Sequence, residues 1–201
     1  MPGRLLLMRH GQIKANRVGR WHGSTDSALT LRGRRQAKRA SEFLAHRHPQ
    51  IDAVYSSPLQ RCMNTARLAV NHMPHLDIQS SDGLREMSIG EWENLPFKEL
   101  HEEFNLIRKL SNDPQFRPPE GETVAEVSIR VCEALREIDA AHTEDEVILV
   151  VSHGVAVAIA LGALLNNNPC KWREYQQDNC SISEITLTPE LLITKFNQTT
   201  Q

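Results

Sequence analysis

Leu5-Leu6-Leu7-Met8-Arg9-His10-Gly11 is an apolar run that stops on a guanidinium, an imidazole and a glycine. A short continuous apolar run predicts a strand buried on both faces, as in parallel sheets covered by helices. Ligands of open α/β sheets bind outside the carboxyl ends of the strands. The first strand therefore carries Arg9 and His10 to the rim of a site, and that pair points to an anionic ligand. Val147-Ile148-Leu149-Val150-Val151 repeats the pattern and stops on Ser152-His153-Gly154.

Working outward, the loop after Gly11 runs through Gly19, Gly23, Ser24 and Asp26. Thr30 reads as the N-cap of a helix to about Ala45, with Ala37, Ala40, Phe43 and Leu44 on one face. Ala53-Val54-Tyr55 is a short strand, and Ser57-Pro58 reads as an N-cap with proline at the first helical position. Asp77 to Gln79 is a weaker third strand. Leu84 to Gly121 is polar and holds one amphipathic helix, about Pro96 to Leu110. Thr123-Val124-Ala125-Glu126 is a capping box opening a helix with Val127, Val131, Leu135 and Ile138 inward. A nearly all-apolar helix follows Gly154 to Leu165, and Ile182 to Leu187 and Leu191 to Phe196 close the fold as two strands joined through Thr188-Pro189-Glu190.

Alternating strands and helices predict an α/β three-layer sandwich: a mostly parallel central sheet, an antiparallel last strand at an edge, and helices on both faces. The 201 residues form one domain in this reading, 1–201, with an inserted flap at about 84–121. The net charge of −2 supplies no global field for nucleic acid or an anionic membrane, so an anion site must be a local cluster. Val155 to Leu165 is too short to span a bilayer, and the N-terminus lacks the pattern of a signal peptide. Cys62, Cys132, Cys170 and Cys180 form no CxxC pair and read as free thiols of a reducing cytoplasm, with a Cys170–Cys180 disulfide the lesser alternative.

Three strand ends now carry matching chemistry: Arg9-His10, then Ser56-Ser57 with Arg61 just inside the next helix, then Ser152-His153-Gly154. Two helix N-termini at that rim are expected to offer free N–H groups to an anion. The arginines add fork-shaped donors suited to phosphate.

Arg9-His10-Gly11, Asn16, Gly19-Arg20, Gly23, Ser56-Ser57-Pro58-Leu59-Gln60-Arg61, Leu84-Arg85-Glu86, Gly90-Glu91-Trp92-Glu93 and Ser152-His153-Gly154 resemble, in order, the histidine phosphatase superfamily, the group of phosphoglycerate mutases and acid-type phosphatases. The resemblance implies a phosphoglycerate mutase-like fold and a metal-independent phosphatase using no cofactor. His10 is then the nucleophile that carries a phosphoryl group. Arg9, Arg61 and His153 bind the phosphoryl oxygens, with Asn16 as a further contact. Gly154 joins them on the phosphate side, and His22 and Gly23 contact substrate. Glu86 is the proton donor to the leaving oxygen. The implied partner is a small phosphorylated metabolite, not nucleic acid or membrane, and a homodimer is compatible with it. The subgroup resembled is the broad-specificity and α-ribazole-type phosphatases, through Gly23 to Thr30 and Leu84 to Glu93. A cofactor-dependent phosphoglycerate mutase is the first alternative, and a non-catalytic phosphometabolite-binding module the second. Gln12-Ile13, Trp21-His22 and Asn94 depart from the family's pattern and bear on substrate rather than on chemistry.

Uncatalysed phosphomonoester hydrolysis needs up to ~10²¹-fold acceleration. One general acid supplies only about 10²–10⁴ of that, so positioning and charge stabilisation must dominate. A cation cluster around one small site is what that arithmetic requires. Elsewhere the bland reading holds. His46, His48, His72, His75 and His101 lack metal-ligand spacing and read as helix-end and surface residues. Arg32, Arg34, Arg35, Lys38 and Arg39 read as a solvated helix face, and Trp172 as packing.

Overall fold

The computed structural model describes residues 3–143, 145–188 and 191–199. In chain order the elements are β1 (Arg4–Arg9), α1 (Lys14–Val18), α2 (Leu31–Arg47), β2 (Ala53–Ser56), α3 (Gln60–Ala69), β3 (Ile78–Ser80), α4 (Phe97–Glu102), α5 (Leu106–Asn112), α6 (Val124–Ala140), β4 (Val147–Ser152), α7 (Gly154–Asn166), β5 (Ile182–Thr186) and β6 (Leu192–Gln198). The sheet runs β3-β2-β4-β1-β5-β6. The first four strands of that order are parallel, β5 is antiparallel to β1, and β6 is the antiparallel edge.

Side-chain alternation along β1 builds the three layers. Leu5 and Leu7 enter one core with α6 and α7, while Leu6 and Met8 enter the other with α2 and α3. All four are fully buried, which is why the run is apolar without alternation. Arg9 pairs with Ser152 in the β1–β4 register, and Ser57 N–H donates to the Val151 carbonyl at 2.9 Å. The ends of β1, β2 and β4 thus meet on one rim.

Thr30 caps α2 by accepting from Gly33 N–H, and Thr123 and Glu126 close their capping box at α6. Such a cap contributes about 1 kcal/mol. Helix α3 starts at Gln60, two residues later than Ser57-Pro58 predicts. Leu59 is still extended, and the first helical amide, Gln60 N–H, is taken by the Asp26 carboxylate at 2.9 Å. The helix expected over Pro96 to Leu110 is two, α4 and α5. Asn105 breaks it with a left-handed backbone (φ 50°), while Phe104 stacks on Trp92 at 4.6 Å. A left-handed residue cannot continue a right-handed helix, and asparagine tolerates it better than most residue types.

The short helix α1 lies where the sequence reads as loop, and it carries Asn16. The link Thr188-Pro189-Glu190 falls partly outside the described residues. Cys170 is a free thiol, so it makes no disulfide with Cys180. His48 is not a surface residue: it is buried 4.0 Å from Glu184. No helix of the described residues is long and apolar enough to cross a membrane.

Candidate active site

A cavity of about 160 Å³ opens at the rim where β1 and β4 end. Arg9, His10, Asn16, His22, Glu86 and Gly154 all line it. Six residues predicted from scattered stretches are therefore brought to one place. Arg61 and His153 lie beneath His10 rather than on the cavity wall, and both are completely buried. Gly23 also sits behind the wall.

His10 is 4% exposed, and its Nδ1 lies 2.8 Å from the Gly11 carbonyl. A carbonyl oxygen only accepts, so Nδ1 carries the proton and Nε2 keeps its lone pair. Burial, then Arg61, then Arg9 push the His10 pKa well below the ordinary histidine value of 6.5. His153 meets His10 edge-on at 5.3 Å between ring centres. Arg61 Nε donates to His153 Nδ1 at 3.2 Å, so His153 holds its proton on Nε2, 2.8 Å from Ser57 Oγ. Burial and the Arg61 charge also lower the His153 pKa well below 6.5.

Arg61 is anchored in three directions. Nη1 donates to the Thr25 carbonyl at 2.7 Å, Nη2 to the Gly23 carbonyl at 2.6 Å, and Nε to His153. The loop it grips is itself fastened by Glu93, which accepts from the backbone N–H and hydroxyl groups of Ser24 and Thr25. Burial would raise the Glu93 pKa, but these hydrogen bonds outweigh it and hold the carboxyl below its usual value. Gly23 is glycine for a steric reason. A Cβ there would stand 2.1 Å from the Met87 carbonyl oxygen and 2.7 Å from Glu93 Oε1. We expect Gly23→Ala to cost about 1–3 kcal/mol of stability by overpacking and to displace Arg61. Urea denaturation together with turnover checks this, and a loss below about 0.5 kcal/mol, within the range of an ordinary surface change, would show a loop that yields.

Arg9 donates from Nη1 to the Gln177 carbonyl at 2.6 Å, while its buried Nε has no partner. Gly154 lets this side chain pass, since a Cβ there would lie 3.0 Å from Arg9 Nε. Asn16 Oδ1 accepts from Ile13 N–H at 3.1 Å and from Asn179 Nδ2 at 3.4 Å. Asn179, unforeseen from the sequence, holds the His10 carbonyl at 2.9 Å.

The helix N-termini expected to be free are partly occupied. Asp26 occupies the first amide of α3, and Glu86 occupies α7. Glu86 Oε1 accepts from Ala156 N–H (2.8 Å) and Met87 N–H (3.0 Å), and Oε2 from Val155 N–H (3.2 Å). A carboxylate is the natural occupant of a helix N-terminus. Arg130 of α6 fixes the Glu86 segment by donating to the carbonyls of Gly83, Arg85 and Glu86. His22 is held between Ser27 Oγ and Asn94 Oδ1, at 3.3 and 3.1 Å.

A neutral imidazole flanked by one buried and one half-buried guanidinium, with a carboxyl on the same cavity wall, is what a phosphoryl-transfer site requires. The family model of the histidine phosphatase superfamily (branch 1) matches residues 5–198. The chain belongs to the histidine phosphatase superfamily. Phosphoserine phosphatase 1 of Hydrogenobacter thermophilus is 32% identical over 184 residues, covering 90% of this chain and 85% of that relative. Some curated relatives are longer, and the chain spans 45% of their length. Among solved structures, a mutant phosphoserine phosphatase of Entamoeba histolytica in complex with phosphoserine superposes with a TM-score of 0.85 at 27% identity, covering 98% of both chains. The α-ribazole phosphatase of Shigella flexneri gives a TM-score of 0.84 at 27% identity, covering 97% and 96%.

Within this histidine phosphatase, sequence reasoning passed over Asn179, Gln176 and Gln177, while the packing reading of Trp172 holds, since it is buried in the core. Trp172, Gln176 and Gln177 line the cavity. Their signal is topological. Strand β5 is antiparallel to β1, with Ile182 opposite Met8, so the chain just before β5 arrives at the rim where β1 ends. Trp92 packs against Phe104 and Phe116 and does not line the cavity.

Proposed function

We propose that this chain is a metal-independent phosphatase of small phosphorylated metabolites that works through a phosphohistidine at His10 Nε2. The observation that carries the reading is the Nδ1–Gly11 hydrogen bond at the floor of the cavity. It leaves Nε2 unprotonated between the charges of Arg9 and Arg61, which oppose protonation and attract a phosphate.

In the first half-reaction Nε2 attacks phosphorus and the P–O bond to the alcohol breaks. Glu86, in its protonated form, gives its proton to the leaving oxygen. In the second, a water attacks the phosphohistidine, Glu86 takes the water's proton, and inorganic phosphate departs. Arg9 offers its unpartnered Nε to the phosphoryl oxygens, with Asn16 beside it on the cavity wall. Arg61 uses three of its nitrogens to hold the floor, and its buried charge beneath His10 keeps that ring neutral and attracts the phosphoryl group. His153 orients with it. Gly154 is the small residue that lets Arg9 reach the site, Gly23 holds Arg61, and His22 stands at the substrate side of the wall. The 84–121 segment acts as a flap. Its Asn94, Leu95 and Phe97 exchange backbone hydrogen bonds with Gly19 and Trp21, and Phe97 stacks on Trp21 at 5.7 Å, with both rings on the cavity wall. Such an apolar wall favours small substrates over phosphoproteins. Among the described residues no three His, Cys, Asp or Glu side chains cluster to hold a metal ion.

The test is turnover of p-nitrophenyl phosphate in EDTA, measured from pH 4 to pH 8. Because His10 has a pKa below 6.5, its neutral, nucleophilic form persists as pH falls through that value. The acid limb of kcat/KM is therefore expected below pH 6.5. No turnover at any pH would favour the binding module, and EDTA-sensitive turnover would sink the metal-free mechanism. Conversion of 3-phosphoglycerate to its isomer faster than phosphate release would make it a mutase.

A further inference from the structure

Among the described residues, four carry buried side-chain nitrogen or oxygen atoms without a hydrogen-bond partner: Arg9, Ser111, Trp172 and Gln177. Three of these, all but Ser111, line the same cavity. Leaving a buried donor unpaired costs more than a typical hydrogen bond gains, so such groups are rare and call for an explanation. Arg9 is explained by the phosphoryl group. Trp172 and Gln177, 2% and 3% exposed, are not.

We propose that Trp172 and Gln177 form a leaving-group subsite that recognises a carboxylate on the alcohol of the phosphomonoester, a proposal that rests on the phosphatase reading. The floor side of His10 is filled by Arg61 and His153, so the leaving alcohol must occupy the cavity. The polar inventory of that cavity is rich in donors. The Trp172 indole N–H only donates, and the Gln177 amide supplies two N–H donors against one oxygen acceptor. Arg20 adds a positive charge to the wall, and the one lining carboxylate, Glu86, is already held by three backbone N–H groups. An anionic substituent satisfies this set, while Gln177 Oε1 accommodates a hydroxyl or an ammonium next to it. The volume of about 160 Å³ is well below the ~300–1,000 Å³ of ordinary small-molecule pockets, which favours a compact hydroxy acid or amino acid over a nucleoside.

Both residues can be changed while the backbone is kept, and the Gln177 contact to Arg9 is made by its main-chain carbonyl. The readout is the ratio of kcat/KM for O-phosphoserine to that for phosphoethanolamine, which differ by the carboxylate alone. The pair 3-phosphoglycerate and glycerol 3-phosphate, a carboxylate against a hydroxymethyl group, extends the comparison to substrates without the amine. A site built to pair with a substituent rejects the analogue that lacks it, so the ratio in the unaltered protein is expected to be at least about tenfold. Trp172→Phe and Gln177→Leu should each lower the ratio at least about fivefold by removing one donor set. Gln177→Glu should move it further, toward phosphoethanolamine, by setting like charge against the carboxylate. A ratio near one in the unaltered protein overturns the subsite. So does a loss that both substrates share equally in all three variants, the outcome of a purely structural role. Turnover of p-nitrophenyl phosphate separates the two readings. If it is absent the phosphatase reading has failed, and if it is present without carboxylate preference only the subsite has.

Discussion

His10→Ala is expected to lower phosphatase turnover by a factor on the order of 10⁴–10⁶, the scale seen when a covalent nucleophile is removed. It should also abolish the acid-labile, base-stable phosphoryl label of a phosphohistidine. The size follows from the geometry. His10 is the one imidazole on the cavity wall whose Nδ1 is committed to a carbonyl, and His22, also on the wall, is held at both nitrogens by Ser27 and Asn94. His153 cannot replace it, because it is completely buried and its Nδ1 already accepts from Arg61. Rapid-quench labelling with a radioactive phosphomonoester checks the prediction. A phosphoenzyme that survives in the variant would place the nucleophile elsewhere.

Glu86→Gln is expected to cost about 10²–10⁴ in turnover, and the cost should depend on the leaving group. Alkyl phosphates, whose alcohols need a proton to depart, should lose most, and p-nitrophenyl phosphate least. The structure adds a competing explanation that the leaving-group series can separate. Glu86 accepts from the amides of Met87, Val155 and Ala156, so it also seals the N-terminus of α7. In the variant one acceptor oxygen becomes an NH₂ facing a backbone N–H, which costs stability by about 1–3 kcal/mol. If Glu86 were only a cap, good and poor leaving groups would lose equally and the loss would track the fall in Tm. A graded loss at temperatures well below Tm identifies the acid.

The parts of this protein legible in its sequence share a cause. Leu5 to Met8 and Val147 to Val151 read as buried strands because burial on both faces demands unbroken apolarity. Thr30 and the Thr123–Glu126 box mark helix starts because the orphan amides of a first turn need a nearby acceptor. Where the acceptor comes from far along the chain, that local logic fails. Asp26 sets the start of α3 and Glu86 seals α7, each from a loop distant in sequence. These contacts also fill part of the helix N-termini that the sequence leaves vacant at the site. Asn105 broke a helix that periodicity alone makes continuous, since a left-handed backbone depends on neighbours as well as on residue type.

The sequence by itself located the candidate site. Arg9, His10, Arg61 and His153 follow strand ends, and parallel strands bring their ends to one rim whatever lies between them. Tertiary structure alone decided what the rim does with them. It put Arg61 and His153 under the floor, with His10, Arg9 and Glu86 on the wall. It also brought Trp172, Gln177 and Asn179 to the site, because the antiparallel β5 presents its beginning where its parallel neighbours present their ends. Strand direction relative to a partner is a property of the pairing, not of either segment, so no local pattern in residues 172–179 announces it.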